Sequence, residues 1–214
     1  MPPIDETQTL ADVSRWRRML GQYRTPSALR GVGEFAVTVI PFALAWFLMY
    51  WAWSHGKIWL YGLLLFPAAG LLVRLFLIQH DCGHRAFFAS KKANDWLGRL
   101  ISILTLTPYD HWRRAHSIHH ATSGNLARRG VGDVDTLTVA EYLARPHWQR
   151  LRYRAYRHPA VMFGIGPFFL FVLQNRLPAG FMHDGWLPWV STCVNLGCSM
   201  GSAASMHRWR SSRT

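Results

Sequence analysis

Charged residues and cysteines are both scarce in this chain. Of its 214 residues, 16% are charged and half are hydrophobic, whereas a soluble domain typically carries about 25% charged residues. Three cysteines are too few for a disulfide framework. This composition excludes the collagen-like, disulfide-scaffold and disordered classes. Apolar and basic blocks alternate instead, which is typical of a small polytopic membrane protein.

Acidic residues are also scarce, since 11 Asp and Glu stand against 24 Lys and Arg. The positive charge is concentrated, with five basic residues in Arg15–Arg30 and thirteen between His80 and His158. Blocks of this kind beside apolar runs indicate membrane topology and contact with anionic lipid. No nucleic-acid-binding motif accompanies them, so nucleic acid is not expected as a partner.

Two long apolar runs predict a transmembrane helical hairpin. Phe35–Ser54 has twenty residues without a charge, and a helix of that length crosses the hydrocarbon core of about 30 Å. Three residues separate it from Ile58–Ile78, where Arg74 is expected to extend towards the interface. Because basic residues flank both ends of the hairpin, the positive-inside rule places both ends in the cytoplasm.

The rest of the chain completes the predicted fold, an all-α polytopic membrane protein. Between His80 and His158 we expect a cytosolic helical region, followed by a marginal third span at Pro159–Asn175 and the start of a fourth at Trp186. The predicted organisation is a cytosolic segment at 1–34, a membrane domain at 35–192 and an atypical basic tail at 193–214.

Eleven histidines are present, and five of them form two clusters with helical spacing. His80 and His84 are four residues apart, so they share one face if the preceding helix continues. The second cluster has the same relation, with the candidates His116, His119 and His120. Five imidazoles in this arrangement predict a metal site. Neutral imidazole is a ligand for Zn, Cu, Fe and Ni alike.

Several other polar residues near the clusters are also candidates for a role at the site. Asp81 is either a hydrogen-bond partner that fixes an imidazole tautomer or a solvated carboxylate. Cys82 is expected to be a packed small residue. His111 is a candidate for a position next to the metal ligands. The basic residues Arg113, Arg114, Arg128 and Arg129 are interpreted either as a binding surface for lipid phosphate or an acidic electron donor, or as a solvated face.

The sequence HDCGH at 80–84, followed by HSIHH at 116–120, resembles the first two histidine boxes of the membrane fatty acid desaturases. The closest resemblance is to the acyl-lipid type that includes the Δ12 (omega-6) enzymes. The segments PYDHWRRAHSIHHATSGNL, GVGDVDTLTVAEY and YRHPAVMFGIGP support it, and it extends from about Arg24 to Val190.

This resemblance implies two iron ions held mainly by histidines, with O2 as co-substrate. It also implies removal of two hydrogens from an acyl chain on a membrane lipid. A ferredoxin or a cytochrome would supply electrons, and the histidine boxes would lie on the cytoplasmic side of what is expected to be a bacterial inner membrane.

The family's third box, a second HxxHH, is absent after His120. The remaining candidates are all isolated: His147, His158, His183 and His207. The chain is therefore interpreted as the N-terminal part of a desaturase, truncated and inactive as it stands. Two alternatives stay open, a non-catalytic membrane protein fragment and a related histidine-box hydroxylase or carotenoid-modifying enzyme.

Overall fold

The computed structural model describes residues 15–16, 19–21, 25–130, 134–177, 186, 189–190, 192–193, 195 and 197. Within these residues every regular element is a helix, as predicted. The predicted fourth span and basic tail lie almost wholly outside them. The chain forms two compact units, Met1–Leu97 and Gly98–Thr214, which are described separately.

The first unit contains the predicted hairpin. Helix α1 (Ala28–Ser54) begins at Ser27, whose hydroxyl accepts the Arg30 N–H at 3.4 Å, and α2 (Ile58–Gly83) follows after a tight turn. Gly56 in this turn has φ +68°, a conformation that favours glycine. Both helices are long and apolar enough to cross a membrane, which confirms the two predicted spans.

Two alanines and a methionine form the buried centre of the contact between α1 and α2, with Tyr61 and Leu64 packed against it. Ala45, Met49 and Ala68 are buried together, whereas large side chains such as Phe47 and Phe66 are 62% and 79% exposed on the outside. Small residues let two helix backbones approach closely in a bilayer, where lipid covers the larger apolar groups. The hairpin therefore has the packing expected of membrane helices.

An ion pair joins the two helices near one end of the hairpin. The Arg74 guanidinium donates to the Glu34 carboxylate at 2.5 Å and to the Thr38 hydroxyl at 2.9 Å. The Thr38 hydroxyl in turn donates to the Glu34 carbonyl at 2.7 Å. The prediction that Arg74 simply extends to the interface is therefore incomplete, since a partner on α1 neutralises its charge.

We expect Glu34→Gln to lower the unfolding free energy of the hairpin by about 0.5 to 1 kcal/mol, because ion pairs between partly exposed groups contribute up to about this much. The measurement is thermal unfolding of the purified chain in detergent. The double reversal Glu34→Arg/Arg74→Glu is the control, and it should recover part of the loss. Equal stability of the wild type and Glu34→Gln would show that the pair contributes nothing.

Asn94 holds the loop that follows the hairpin. Its buried side chain accepts the Phe88 N–H at 3.0 Å and donates to the Phe88 and Ser90 carbonyls at 2.6 and 2.8 Å. Helix α3 (Lys91–Thr105) begins directly after this loop. One amide thus satisfies three backbone groups that would otherwise lack partners away from water.

The second unit contains α4 (Tyr109–Thr122), a 3-10 turn at Leu126–Arg128, α5 (Val139–Ala144) and α6 (His147–Tyr156). Thr138 and Glu141 form a capping box at the start of α5. The Arg129 guanidinium also contacts Glu141, and chiefly for this reason the pKa of that carboxyl falls to about 2. Glu141 is therefore ionised throughout the physiological pH range.

The predicted third span corresponds to an irregular helical segment, Val161–Arg176, which follows α6 at a bend of 55°. It consists of π-helical turns at Val161–Ile165 and Phe169–Leu173 around the short α7 (Gly166–Phe168), and it ends in a 3-10 turn. At 1.5 Å per residue it is about 24 Å long. If the bent pair is one span, the described residues hold up to three.

Helix α6, which precedes this segment, cannot enter the hydrocarbon core as the first half of such a broken span without a high free-energy cost. It carries Arg150, Arg152 and Arg154 within ten residues. Each arginine at the centre of a bilayer costs about 2.5 to 3.5 kcal/mol. Helix α6 is therefore better placed outside the hydrocarbon core, with only Val161–Arg176 inside it.

Candidate metal centre

The first histidine pair lies on the last turn of α2. The helix continues through the HDCG sequence to Gly83, with His84 as its C-cap residue, so the predicted four-residue spacing places both imidazoles on one face. The Nε2 atoms of His80 and His84 are 3.2 Å apart, and their ring centroids 4.5 Å. The geometry thus brings these two predicted ligands together.

A left-handed residue ends α2 directly after the pair. Arg85 has φ +57°, and its N–H bonds to the Cys82 carbonyl at 2.9 Å, while the Ala86 N–H bonds to the Asp81 carbonyl at 2.9 Å. These two bonds define a Schellman motif, in which glycine is the usual left-handed residue. The chain thus turns away at a defined point and leaves His84 at the helix end.

Asp81 lies beside His80 in the way that one reading of the sequence predicted. Its Oδ1 is 3.3 Å from His80 Nδ1, and in the tautomer that carries its proton on Nδ1 this atom donates to the carboxylate and the Nε2 lone pair is available for a metal. Cys82 points the other way and is fully buried. It is a packing residue, as expected.

We expect Asp81→Ala to weaken iron binding by about 10- to 100-fold, the usual effect of losing a partner that orients a metal-ligating histidine. The measurement is an Fe(II) titration of the purified chain. Asp135→Ala is the matched control, since it removes the same exposed charge from a loop far along the chain. Equal affinities of the two variants would mean that Asp81 is only a solvated carboxylate.

The second pair lies on α4. The Nε2 atoms of His116 and His120 are 3.0 Å apart, with ring centroids at 4.5 Å. Trp112, one turn earlier, stacks flat on His116 with centroids 4.7 Å apart and planes at 14°. The ring of His119 stands further off, 6.0 Å from His116 and 5.6 Å from His120. Of the three predicted ligands, the geometry pairs His116 with His120.

Two contacts hold the start of α4 against α3. Tyr109 is almost fully buried, and its ring lies so close to Gly98 that a Cβ there would be 2.2 Å from it. Beside it, the Arg99 guanidinium makes two bonds to the Asp110 carboxylate, at 2.8 and 3.0 Å. The glycine and the ion pair together set the position of the helix that carries HSIHH.

The other histidines of the described chain have separate surroundings. His55 stacks on Trp51 with centroids 4.6 Å apart, and the His158 Nδ1 accepts the Ala160 N–H at 3.2 Å. Burial, and secondarily Arg114, lowers the pKa of His111 and favours its neutral form. His183 and His207 lie outside the described residues. Among the described histidines, the paired imidazoles that could hold a metal ion are those of His80, His84, His116 and His120.

The donor chemistry of the two pairs fits iron. With metal–imidazole bonds of about 2.1 Å, nitrogens 3.0 and 3.2 Å apart are at the right distance to share one metal. Imidazole is among the usual ligands of iron. Trp112 was missed by sequence reasoning, although its position four residues before His116 places it on the same helix face.

Comparisons with known proteins agree on one family. The family model for "Fatty acid desaturase" matches residues 58–207, well over half of the chain. This match extends into the predicted atypical tail at 193–214, so the boundary at residue 193 stays a prediction. No solved structure matches.

Several curated relatives are desaturases. A "Fatty acid desaturase" of Bacillus subtilis is 42% identical over 159 residues, which cover 74% of this chain and 45% of that protein. An "sn-1 acyl-lipid omega-3 desaturase (ferredoxin)" of Synechocystis is 38% identical, covering 47% of this chain and 27% of the relative. An "sn-1 oleoyl-lipid 12-desaturase" of Arthrospira platensis is 31% identical, covering 42% and 21%.

The chain spans less than half the length of each of these relatives. The family model and the Bacillus relative nevertheless cover most of it. With its two apolar helices and its paired histidines, the chain belongs to the fatty acid desaturase family and is an integral membrane protein.

Proposed function

We propose that this protein acts in the O2-dependent introduction of a double bond into the acyl chain of a membrane lipid. The observation that carries the proposal is the pair of close Nε2–Nε2 contacts, one in each histidine box, in a chain of the desaturase family. The names of the Synechocystis and Arthrospira relatives support an acyl-lipid substrate.

The proposed metal is iron, as two ions, and this chain would supply part of their ligand set through His80, His84, His116, His119 and His120. When bound, the iron would supply the redox chemistry that activates O2 for attack on an unactivated C–H bond. We propose that both boxes supply metal ligands and lie on the cytoplasmic side of the membrane. The placement of basic residues at both ends of the hairpin supports that side.

The chain's own residues prepare the ligands. Asp81 holds the His80 proton on Nδ1, and Trp112 holds the His116 ring plane, so both rings keep one orientation. Along α2, His80 lies about 33 Å from Ile58, just past a hydrocarbon core of about 30 Å. The first box is thus at the membrane surface, at the level where a lipid headgroup joins its acyl chain.

The proposed reaction balances with an external donor. Two neighbouring methylenes each lose one hydrogen, and the pair of electrons left between the carbons becomes the double bond. O2 is reduced to two waters by four electrons, two from the substrate and two from the donor, with two further protons from solvent. We propose a ferredoxin or a cytochrome as this donor, and the name of the Synechocystis relative supports ferredoxin.

Residues 1–214 contain two histidine boxes, whereas the family resemblance implies three. We therefore propose that this polypeptide alone holds fewer than two irons and forms no product. Missing ligands would be replaced by water, which alters the environment of the metal.

A chimera tests the proposed function. The matching segment of the Bacillus subtilis relative is replaced by that of this chain, and the chimera is expressed in cells without their own desaturase. Fatty-acid profiling should show a new double bond, which should disappear in the chimera with His120→Ala. A chimera that accumulates in the membrane and binds iron, yet forms no double bond, would contradict the proposal.

A further inference from the structure

The exposed face of α6 combines an apolar stripe with arginines. Trp148 and Leu151 are 60% and 61% exposed, and at about 100° per residue they share one side of the helix with Ala155. Arg152 borders this stripe on one side and Arg154 on the other. All five side chains are exposed, and together they are called the α6 face.

The opposite side of α6 is packed, which determines the direction of the α6 face. The Arg150 guanidinium donates to the Leu143 and Arg145 carbonyls at 2.6 and 2.8 Å. On the same side, the Tyr153 hydroxyl accepts the Leu137 N–H at 3.2 Å. Because these contacts hold the helix in one rotation, the apolar stripe is presented outward by the fold itself.

The chain continues from α6 directly into membrane-type sequence. After the 55° bend, Val161–Arg176 carries exposed aromatic side chains, among them Phe163 at 83% and Phe168 at 60%. Helix α6 is too rich in arginine to enter the hydrocarbon core, but the segment that follows it is apolar enough to do so. The boundary between headgroups and acyl chains suits both the arginines and the apolar groups of α6, since it accepts aromatic and aliphatic side chains beside charged ones.

We propose that the α6 face binds anionic phospholipid at the membrane surface. Trp148, Leu151 and Ala155 would lie at the level of the first acyl carbons, with Arg152 and Arg154 on the lipid phosphates. Guanidinium matches phosphate oxygens with two parallel N–H donors. Arg152 already lies over the Trp148 ring, 5.7 Å from its centroid, which keeps its charge beside the stripe. The proposal does not depend on the metal centre.

Lipid is favoured over a soluble acidic protein by the apolar half of the face. Such a protein would match the arginines, but the stripe between them continues towards a segment whose exposed aromatic groups require lipid. Each arginine near the membrane surface increases the preference for anionic over neutral lipid by about fivefold. Two arginines therefore give a measurable selectivity.

A fluorescent label at position 155 tests the proposal in the whole 214-residue chain. Ala155→Cys is labelled after Cys193→Ser and Cys198→Ser, with the buried Cys82 left in place. The chain is reconstituted in phosphatidylcholine vesicles that contain phosphatidylglycerol, with a nitroxide quencher near the headgroup on one lipid or the other. Since each of the two arginines contributes about fivefold, we expect quenching by the phosphatidylglycerol nitroxide at a mole fraction about 25-fold lower than by the phosphatidylcholine nitroxide.

Matched variants separate charge from position. Arg154→Gln should reduce the preference for phosphatidylglycerol by about fivefold, and Arg152→Gln/Arg154→Gln should abolish it. Lys91→Gln removes one exposed charge from the start of α3 and should leave the preference unchanged. Equal quenching by both lipids overturns the proposal. So does a label that only aqueous iodide quenches, or one that is shielded from iodide only when a purified ferredoxin is added.

Discussion

Replacing His120 with alanine is expected to lower the affinity of the purified chain for Fe(II) by at least about 100-fold, the upper end of the effect of losing even an indirect partner of a metal. The reason is that His120 supplies one of the two Nε2 atoms that lie 3.0 Å apart on α4. His84→Ala should have the same effect through the pair on α2. The measurement is an anaerobic Fe(II) titration in detergent, with bound iron counted after separation.

His158→Ala is the matched control for these two variants. It removes an exposed imidazole whose Nδ1 accepts a neighbouring backbone N–H and faces no second histidine, so iron binding should be unchanged. His119→Ala tests how much the third histidine of the second box contributes to iron binding. Its ring stands apart from the close pair, and we expect a smaller loss than for His120→Ala. An equal effect of His158→Ala and His120→Ala would show that the measured iron is bound nonspecifically.

The second large effect is expected for Gly98→Ala. The added methyl group would be 2.2 Å from the ring of Tyr109, a buried side chain without room to move. Overpacking of this kind costs about 3 kcal/mol. Because Tyr109 begins α4, the displaced ring also shifts the helix that carries HSIHH. We therefore expect both a lower unfolding temperature and weaker iron binding, measured on the same purified sample.

Gly70→Ala is the matched control, since a Cβ at this helical glycine meets nothing within 4 Å. It should stabilise α2 slightly, because alanine is the better helix former. The double variant Gly98→Ala/Tyr109→Leu should recover much of the stability, since the smaller side chain makes room for the methyl group. A Gly98→Ala chain as stable as the wild type would show that the two helices do not approach closely there.

Local sequence was sufficient for the features that depend on run length and spacing. The two long apolar runs predicted both helices of the hairpin, and the four-residue spacing predicted the two histidine pairs. The ends of α1 and α2 could not be predicted in this way. Arg74 is acceptable inside α2 because Glu34 and Thr38 on the other helix bind it, and that partnership spans some forty residues.

The finer features of the site depend on packing between distant residues. Spacing allows both His119 and His120 to face His116, and the ring positions next to the stacked Trp112 distinguish them. Gly98 gave no signal of its own, because its role depends on where Tyr109 packs. The uncharged run at Pro159–Asn175 likewise predicted an apolar segment but not its π-helical turns, which no simple periodicity indicates.

The proposed function requires that iron bind to this chain through its two histidine pairs. X-ray absorption of the Fe(II)-loaded chain tests it most directly, since imidazole rings give a distinct scattering pattern. We expect imidazole nitrogens at about 2.1 Å from the iron in the wild type. The imidazole scattering pattern should be lost in His84→Ala/His120→Ala. An iron shell of oxygen atoms alone, or an imidazole pattern that the double substitution leaves unchanged, would contradict it.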